Sequence, residues 1–207
     1  MKIDYDDLIF GKKITTPEKN SVYRGTYLDV PVAIKFFDKK DLREERHKLL
    51  GYGVSNECLT EYNNLLEARA KSHELSTFLQ EPIGVTKNPD GLHVLVTKLI
   101  LNSNGDISQD FKKCKEKVNK DFIWELRNAL YHLGEHKVYH MDISNGDNLL
   151  IQINSGVHPV LIDFLNMNFT YYPWLKLTKY LGIDSVEKRY FRRVNRFLNN
   201  LEKFNHN

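Results

Sequence analysis

The sequence has few cysteines and no long apolar run, and these shortages exclude several classes of protein. Cys58 and Cys114 are the only cysteines in 207 residues, which excludes a disulfide framework and favours a reducing compartment such as the cytoplasm. No stretch approaches the roughly 18 apolar residues of a membrane-spanning helix, so we expect no membrane span. Residues 1–7 are too acidic for a secretory signal peptide, so any secretion would need a route without one.

Internal repeats, low-complexity segments and a strong charge imbalance are also missing. The hydrophobic fraction of 41% is typical of a folded globule. The formal net charge is only +3 and the two signs are interleaved, which argues against a nucleic-acid partner. The most basic stretch lies near the C-terminal end, and its spacing favours the polar face of a helix over a phosphate or lipid patch. Its members are Arg189, Arg192, Arg193, Arg196 and Lys203.

Hydrophobic periodicity predicts a β-rich first half. Residues 8–38 alternate apolar and polar side chains, which predicts two or three antiparallel strands. Residues 56–76 follow a helical period. Two further strands are expected at Phe78–Val85 and Leu92–Ile100, joined by a turn over residues 88–91.

The second half is predicted to be mainly helical. The polar segment Asn102–Asp110 resembles a hinge, and Asp121–Lys137 carries the apolar stripe of an amphipathic helix. Short strands are expected at Leu149–Ile153 and Val160–Asp163. From Pro173 onward the pattern predicts one or two helices.

Three short motifs, far apart in the chain, carry the functional signal. They are Val32–Lys35 (VAIK), His140–Asp142 (HMD) and Ile162–Phe164 (IDF), in that order. A lysine to grip phosphates, an aspartate to orient a hydroxyl and an aspartate to hold magnesium are what phosphoryl transfer from ATP requires. Over about residues 10–170 the chain therefore resembles the protein kinases.

The resemblance implies an α+β, bilobal kinase-like fold in a single minimal domain, residues 1–207. The β-rich N-lobe would span about residues 1–100, the hinge about 97–105 and the reduced C-lobe about 106–207. Fewer than 45 residues follow Phe164, so an activation segment and a helical substrate-binding subdomain would both be absent. This reduced architecture is similar to the minimal effector kinases that bacterial pathogens inject into host cells through type III secretion.

The resemblance assigns catalytic roles to two residues. Lys35 would bind the α- and β-phosphates, and Asp142 would orient the substrate hydroxyl. A glutamate from the following helix would position the lysine. Glu61 is the preferred candidate, with Glu57 and Glu67 as rivals in the same helical stretch.

Magnesium, with manganese as an alternative ion, would be held by oxygen ligands from the second half of the chain. Asp163 follows an apolar strand, where a carboxylate is costly unless it is paired or metal-bound. The second ligand is Asp147 if the catalytic loop has no insertion, and Asn148 if one residue is inserted in Ser144–Gly146.

The adenine would bind the hinge backbone at about Val96 to Leu99. In the family's arrangement Thr97 would guard the back of the pocket. The purine would lie between Val22, Ala33 and Leu150. Each of these residues is equally well explained as ordinary core.

The chain departs from the kinase pattern in three places. Methionine replaces the arginine of the catalytic motif at Met141, so we expect no activation by loop phosphorylation. Leu165 replaces the glycine after Asp-Phe and restricts the backbone. Kinases have three glycines in the loop that covers the phosphates. Here Gly11 is present, but Thr15, Pro17 and Asn20 stand where the three glycines are expected before Val22.

The expected function is that of an ATP- and magnesium-dependent Ser/Thr protein kinase, monomeric, acting on one preferred protein. For a bacterial effector that partner would be a host protein such as a chaperone, reached in the host cytoplasm. Two alternatives stay open: a pseudokinase that only binds a partner, and a small-molecule kinase on the same fold.

Overall fold

A computed structural model describes residues 1–14, 21–37, 56–139, 141, 143, 146, 148–164 and 186–205. The chain divides into two compact units: residues 1–66 with 81–99, and residues 67–80 with 100–207. Residues 67–80 are thus grouped with the second unit. The expected division into two lobes near residue 100 stays a prediction. Both units contain antiparallel sheet and helix, so the predicted α+β class is confirmed.

The first unit is built on a five-stranded antiparallel sheet with the order β1-β2-β3-β5-β4. Its strands are β1 (Leu8–Lys13), β2 (Val22–Tyr27), β3 (Val30–Phe37), β4 (Pro82–Lys87) and β5 (His93–Lys98). Leu28 and Asp29 join β2 to β3 with φ values of 47° and 65°. A two-residue hairpin loop with positive φ at both positions matches the twist of the flanking strands.

Side chains alternate along β3 and give the sheet two different faces. Val32 and Ile34 are fully buried and pack with Val94 and Val96 of β5 in the core of this unit. The residues between them point to the opposite face, because successive side chains of a strand alternate. On that opposite face Lys35 meets helix α1 (Glu57–Lys71).

Among its described residues, the second unit combines a three-stranded sheet with two α-helices that lie wholly within it. Its strands, in the order β6-β7-β8, are β6 (Gln109–Asp110), β7 (Leu149–Ile153) and β8 (Val157–Leu161), and its helices are α2 (Lys120–Glu135) and α3 (Val186–Asn205). The Asn119 side chain caps α2 by accepting a hydrogen bond from the Phe122 backbone N–H at 2.8 Å. The predicted apolar stripe of α2 is confirmed, since all of its members are buried: Phe122, Ile123, Leu126, Leu130 and Leu133.

Close packing joins α2 to α3. A side chain at Gly134 would place its Cβ 2.6 Å from the Phe191 ring, so a larger residue there would force this ring to shift. The buried Tyr190 hydroxyl donates a hydrogen bond to the Leu130 carbonyl at 2.7 Å. No helix among the described residues is long and apolar enough to cross a membrane, as expected. Residues 173–185, where the tail was predicted to turn helical, lie outside the described residues.

Two predicted strands are displaced in the structure. The strand expected at Phe78–Val85 begins only at Pro82, because His73–Phe78 form a 3-10 helix. The strand expected at Val160–Asp163 runs instead from Val157 to Leu161. It includes Pro159, which is tolerated because β8 is an end strand of its sheet.

Candidate functional site

A buried ion pair joins β3 to α1 in the first unit. The Lys35 ammonium donates to a Glu61 carboxylate oxygen at 2.6 Å. Glu61 is 2% exposed and Lys35 15%, so both charges are largely removed from water. Of the three candidate glutamates, the structure brings Glu61 to Lys35. Its rival Glu67 pairs with Lys71, one turn further along α1, at 2.5 Å in an exposed position.

The residues predicted to contact adenine in this unit share the sheet face of Lys35. Val22 lies directly opposite Lys35 in the β2–β3 register, and Ala33 lies opposite Thr97 in the β3–β5 register. Cross-strand partners point to the same side of a sheet, as do residues two apart in one strand. Ala33 and Thr97 are buried, and Val22 is half-buried. The face therefore combines a fixed cation with small and apolar side chains.

Cys58 lies one helical turn before Glu61 and was not predicted to be part of the site. Its thiol is fully buried, and its pKa is raised to about 12. Burial is the main cause, and the Glu61 carboxylate adds to it, while the Lys35 ammonium opposes both. The thiol therefore stays neutral at physiological pH and is no nucleophile. Its spacing from Glu61 is the signal that would have placed it here.

Two of the predicted metal ligands lie at one end of the β7–β8 hairpin in the second unit. Asn148 directly precedes β7, and Asp163 follows β8 by two residues. The Ile162 backbone N–H donates to the Asn148 carbonyl at 2.9 Å, which extends the ladder by one step toward Asp163. Leu150, the remaining predicted adenine contact, is half-buried within β7.

Asp163 has an unusual backbone conformation. Its φ is 57°, in the left-handed region that residues other than glycine rarely adopt. It was expected to end a strand, but β8 ends at Leu161, two residues earlier. The next residue, Phe164, is fully buried. Such strained residues concentrate at functional sites, where surrounding packing holds them.

The described residues of the predicted catalytic loop, Met141, Ile143 and Gly146, are buried. Met141 stands where the kinase pattern has a phosphate-pairing arginine. Gly146 has a φ of 68°, and a Cβ there would lie 2.8 Å from the Phe111 ring. These three residues are therefore closely packed in the second unit.

Several predicted positions lie outside the described residues: Thr15, Pro17, Asn20, His140, Asp142, Asp147 and Leu165. Within the described ranges, no group of three or more His, Cys, Asp or Glu side chains could hold a metal ion. Of the predicted magnesium ligands, those ranges contain Asn148 and Asp163.

In comparisons with known proteins, neither a protein-family model nor a curated sequence matches the chain. A function has to be inferred from the residues and their geometry.

Proposed function

We propose that the chain is an ATP- and magnesium-dependent Ser/Thr protein kinase of minimal, bilobal architecture. The observation that carries the proposal is the buried pair of Lys35 and Glu61 on the face that also holds Val22, Ala33 and Thr97. The observed order of elements supports it. Among the described residues, three strands, a helix and two strands precede the later helix, hairpin and helix, as the kinase resemblance implies, with the two-residue strand β6 and short 3-10 helices in addition.

A buried ion pair needs a reason beyond stability. Removing two charges from water is costly, and apolar side chains of similar size often stabilise a core as well. A lysine whose ammonium is held by a glutamate instead presents a cation in a fixed position. Such a side chain loses little conformational entropy when it binds a ligand. That arrangement suits the binding of phosphate oxygens, which lysine recognises as a point charge.

The remaining roles fall to residues of the second unit. Asp142 would accept a hydrogen bond from the hydroxyl of the target protein and orient it for attack. Asn148 and Asp163, with Asp147 as the alternative to Asn148, would hold magnesium or manganese. Their amide and carboxylate oxygens are the donors that these hard cations prefer, and Asn148 and Asp163 adjoin one hairpin end. When bound, the ion would neutralise charge on the phosphates of the substrate ATP.

The partner we propose is a single folded protein, and for a bacterial effector it would be a host protein such as a chaperone. Recognition of one partner's surface would replace recognition of a short sequence motif.

The test is phosphate transfer by the purified full-length chain with labelled ATP and magnesium. We expect autophosphorylation, or labelling of proteins in a host-cell lysate, and a loss of about 100-fold or more in Asp142→Ala. Asp121→Ala, at an exposed position of α2, is the matched control and should keep full activity.

The outcomes separate the alternatives. Labelling that is absent from the wild type under these conditions, or that persists in Asp142→Ala, would contradict the proposal. Rapid transfer to a metabolite with none to protein would favour a small-molecule kinase. ATP binding without any transfer would favour a pseudokinase, an alternative motivated by the missing glycines before Val22 and by Leu165.

A further inference from the structure

Large apolar side chains are exposed at one end of the sheet of the first unit, and we call this group the apolar tip. It consists of Ile9, Leu28 and Val30. Ile9 lies opposite Thr26 in the strand register, and Val30 lies opposite Tyr27. Leu28 belongs to the loop that joins β2 to β3, so the three residues are neighbours. Ile9 and Leu28 are 70% and 68% exposed, more than any other large apolar side chain of the described residues. Single exposed apolar residues are common, whereas adjacent ones are typical of interaction surfaces.

The turn does not account for a leucine at position 28. Leu28 has a φ of 47° and Asp29 has a φ of 65°, both in the left-handed region. Two-residue loops of this kind strongly favour asparagine or glycine, because a bulky side chain is strained there. Leu28 is thus unfavourable both in its backbone conformation and in its exposure to water. A contact that covers its side chain would supply the reason for leucine that folding does not.

Carboxylates flank the apolar tip. Three exposed aspartates lie beside it in the chain: Asp6, Asp7 and Asp29. Asp7 directly precedes β1, and Asp29 follows Leu28 in the loop. The basic residues of β1 and β2 lie further from this loop, since Arg24 precedes Leu28 by four residues and positions 12 and 13 form the other end of β1. The aspartates give this end of the sheet a negative potential, which attracts a cationic partner.

We propose that the apolar tip and its aspartates form a docking surface for an extended segment of a partner protein, in which apolar side chains are flanked by lysine or arginine. The apolar side chains of the segment would cover Ile9 and Leu28 and remove their surface from water. Its cations would pair with the aspartates and fix the position of the segment. The tip spans two neighbouring strands and their loop, about 10 Å in all, which matches about three residues of an extended chain. This inference goes beyond phosphate transfer and does not rest on it.

The charge at this end of the sheet disfavours other occupants. A second copy of the chain, related by two-fold symmetry, would bring the aspartates of both copies together. Nucleic acids and the anionic lipids of a membrane surface would be repelled by the same carboxylates. A basic and apolar segment of another protein is the occupant that both features of the surface attract.

The test measures binding of the full-length chain, without ATP, to a fluorescein-labelled synthetic peptide by fluorescence anisotropy. The probe peptide alternates leucine and lysine between Gly-Ser ends. One matched peptide replaces the leucines by serine, and another replaces the lysines by glutamate. We expect binding of the leucine–lysine peptide alone, weakened by added salt.

Leu28→Asn is the central variant, because asparagine suits the left-handed turn better than leucine does. Its Tm should equal or exceed that of the wild type, while its affinity for the leucine–lysine peptide should fall about ten-fold or more. Leu66→Asn removes another exposed leucine, from α1, and should change this affinity by less than about two-fold. Ile9→Thr keeps a β-branched residue in β1 and provides a second folded variant with weaker binding.

The aspartates are tested by Asp7→Asn with Asp29→Asn. This double variant should bind about five-fold more weakly and lose most of the dependence on salt. Asp121→Asn with Glu135→Gln removes two charges from exposed positions of α2 and should leave the salt dependence intact.

Several outcomes would overturn the proposal. They are equal binding of the leucine–lysine and serine–lysine peptides, no binding by the wild type, and normal binding by Leu28→Asn. A wild-type dimer in analytical ultracentrifugation that Leu28→Asn converts to a monomer would identify a second copy as the occupant instead. Binding of phosphatidylserine vesicles or duplex DNA with none of the leucine–lysine peptide would also overturn it.

Discussion

At the scale of single residues, Lys35 and Glu61 show how a site can be fixed before any ligand arrives. Each residue comes from a different element, β3 and α1, and the two meet at 2.6 Å. The sequence favours Glu61 among three glutamates that lie on one helical stretch. The packing of α1 on the sheet decides among them by burying Glu61.

Glu61→Gln removes the charge and keeps the shape. It leaves Lys35 in a largely buried position without its carboxylate, so we expect a loss of about 1–3 kcal/mol in the free energy of unfolding. If Lys35 binds phosphates, kcat/KM for ATP should also fall at least about ten-fold, because the ammonium is no longer held. Urea unfolding and steady-state kinetics provide the two measurements.

Glu67→Gln is the matched control on the same helix. Glu67 also pairs with a lysine, but both partners are about two-fifths exposed, so the loss should be about 0.5 kcal/mol or less, with normal kinetics. If Glu61→Gln and Glu67→Gln lowered the free energy of unfolding and kcat/KM equally, the burial of Glu61 would not explain its importance.

At the scale of elements, the clearest test concerns the start of α2. The Asn119 side chain satisfies the Phe122 N–H, which otherwise lacks a partner within the helix. Asn119→Ala should therefore destabilise the protein by about 1 kcal/mol. Thermal and urea unfolding would measure this loss.

Asn128→Ala, on the exposed side of the same helix, is the comparison. There alanine replaces a weaker helix former that makes no cap, so stability should stay equal or rise slightly. A larger loss at Asn128 than at Asn119 would contradict the importance of the cap.

Elements with strong periodicity could be predicted from the sequence, and those set by tertiary contacts could not. The stripe of α2 has a 3.6-residue period and a good cap, so its position was evident within two residues. The start of β8 at Val157 could not be read from the sequence, because it depends on the pairing of Val157–Pro159 with β7, where Pro159 lies opposite Ile151. The left-handed φ of Asp163 leaves no pattern in the sequence, since such a conformation depends on the surrounding packing.

The candidate site was predictable to the extent that it rests on motifs. The motif Val32–Lys35 predicted both the phosphate-binding lysine and the strand that carries it. In the structure, the strand register places Val22, Ala33 and Thr97 on the same face of the sheet as Lys35. Glu61 was the preferred glutamate from the sequence, but its selection over Glu57 and Glu67 and the place of Cys58 depend on which side of α1 faces the sheet. That orientation is a property of packing and not of local propensity.

At the scale of the whole molecule, nucleotide binding and phosphate transfer can be separated. A ligand that binds only the folded chain stabilises it, by about 2.7 kcal/mol when present at 100 times its Kd. For a chain of this size that corresponds to a rise in Tm of several degrees. We expect this rise with ATP and magnesium, and a smaller one when EDTA removes the ion.

Lys35→Ala should abolish most of the rise, while Lys87→Ala should keep it. Lys87 is exposed at the end of strand β4, outside the predicted adenine contacts at Val96 to Leu99, so it controls for the loss of a lysine from the same sheet. Each variant is compared with its own Tm without nucleotide, because Lys35→Ala also removes a buried ion pair. A normal rise in Lys35→Ala would contradict the phosphate-binding role. A rise in the wild type without phosphate transfer would indicate that the fold retains its nucleotide site while Asp142 performs no catalysis.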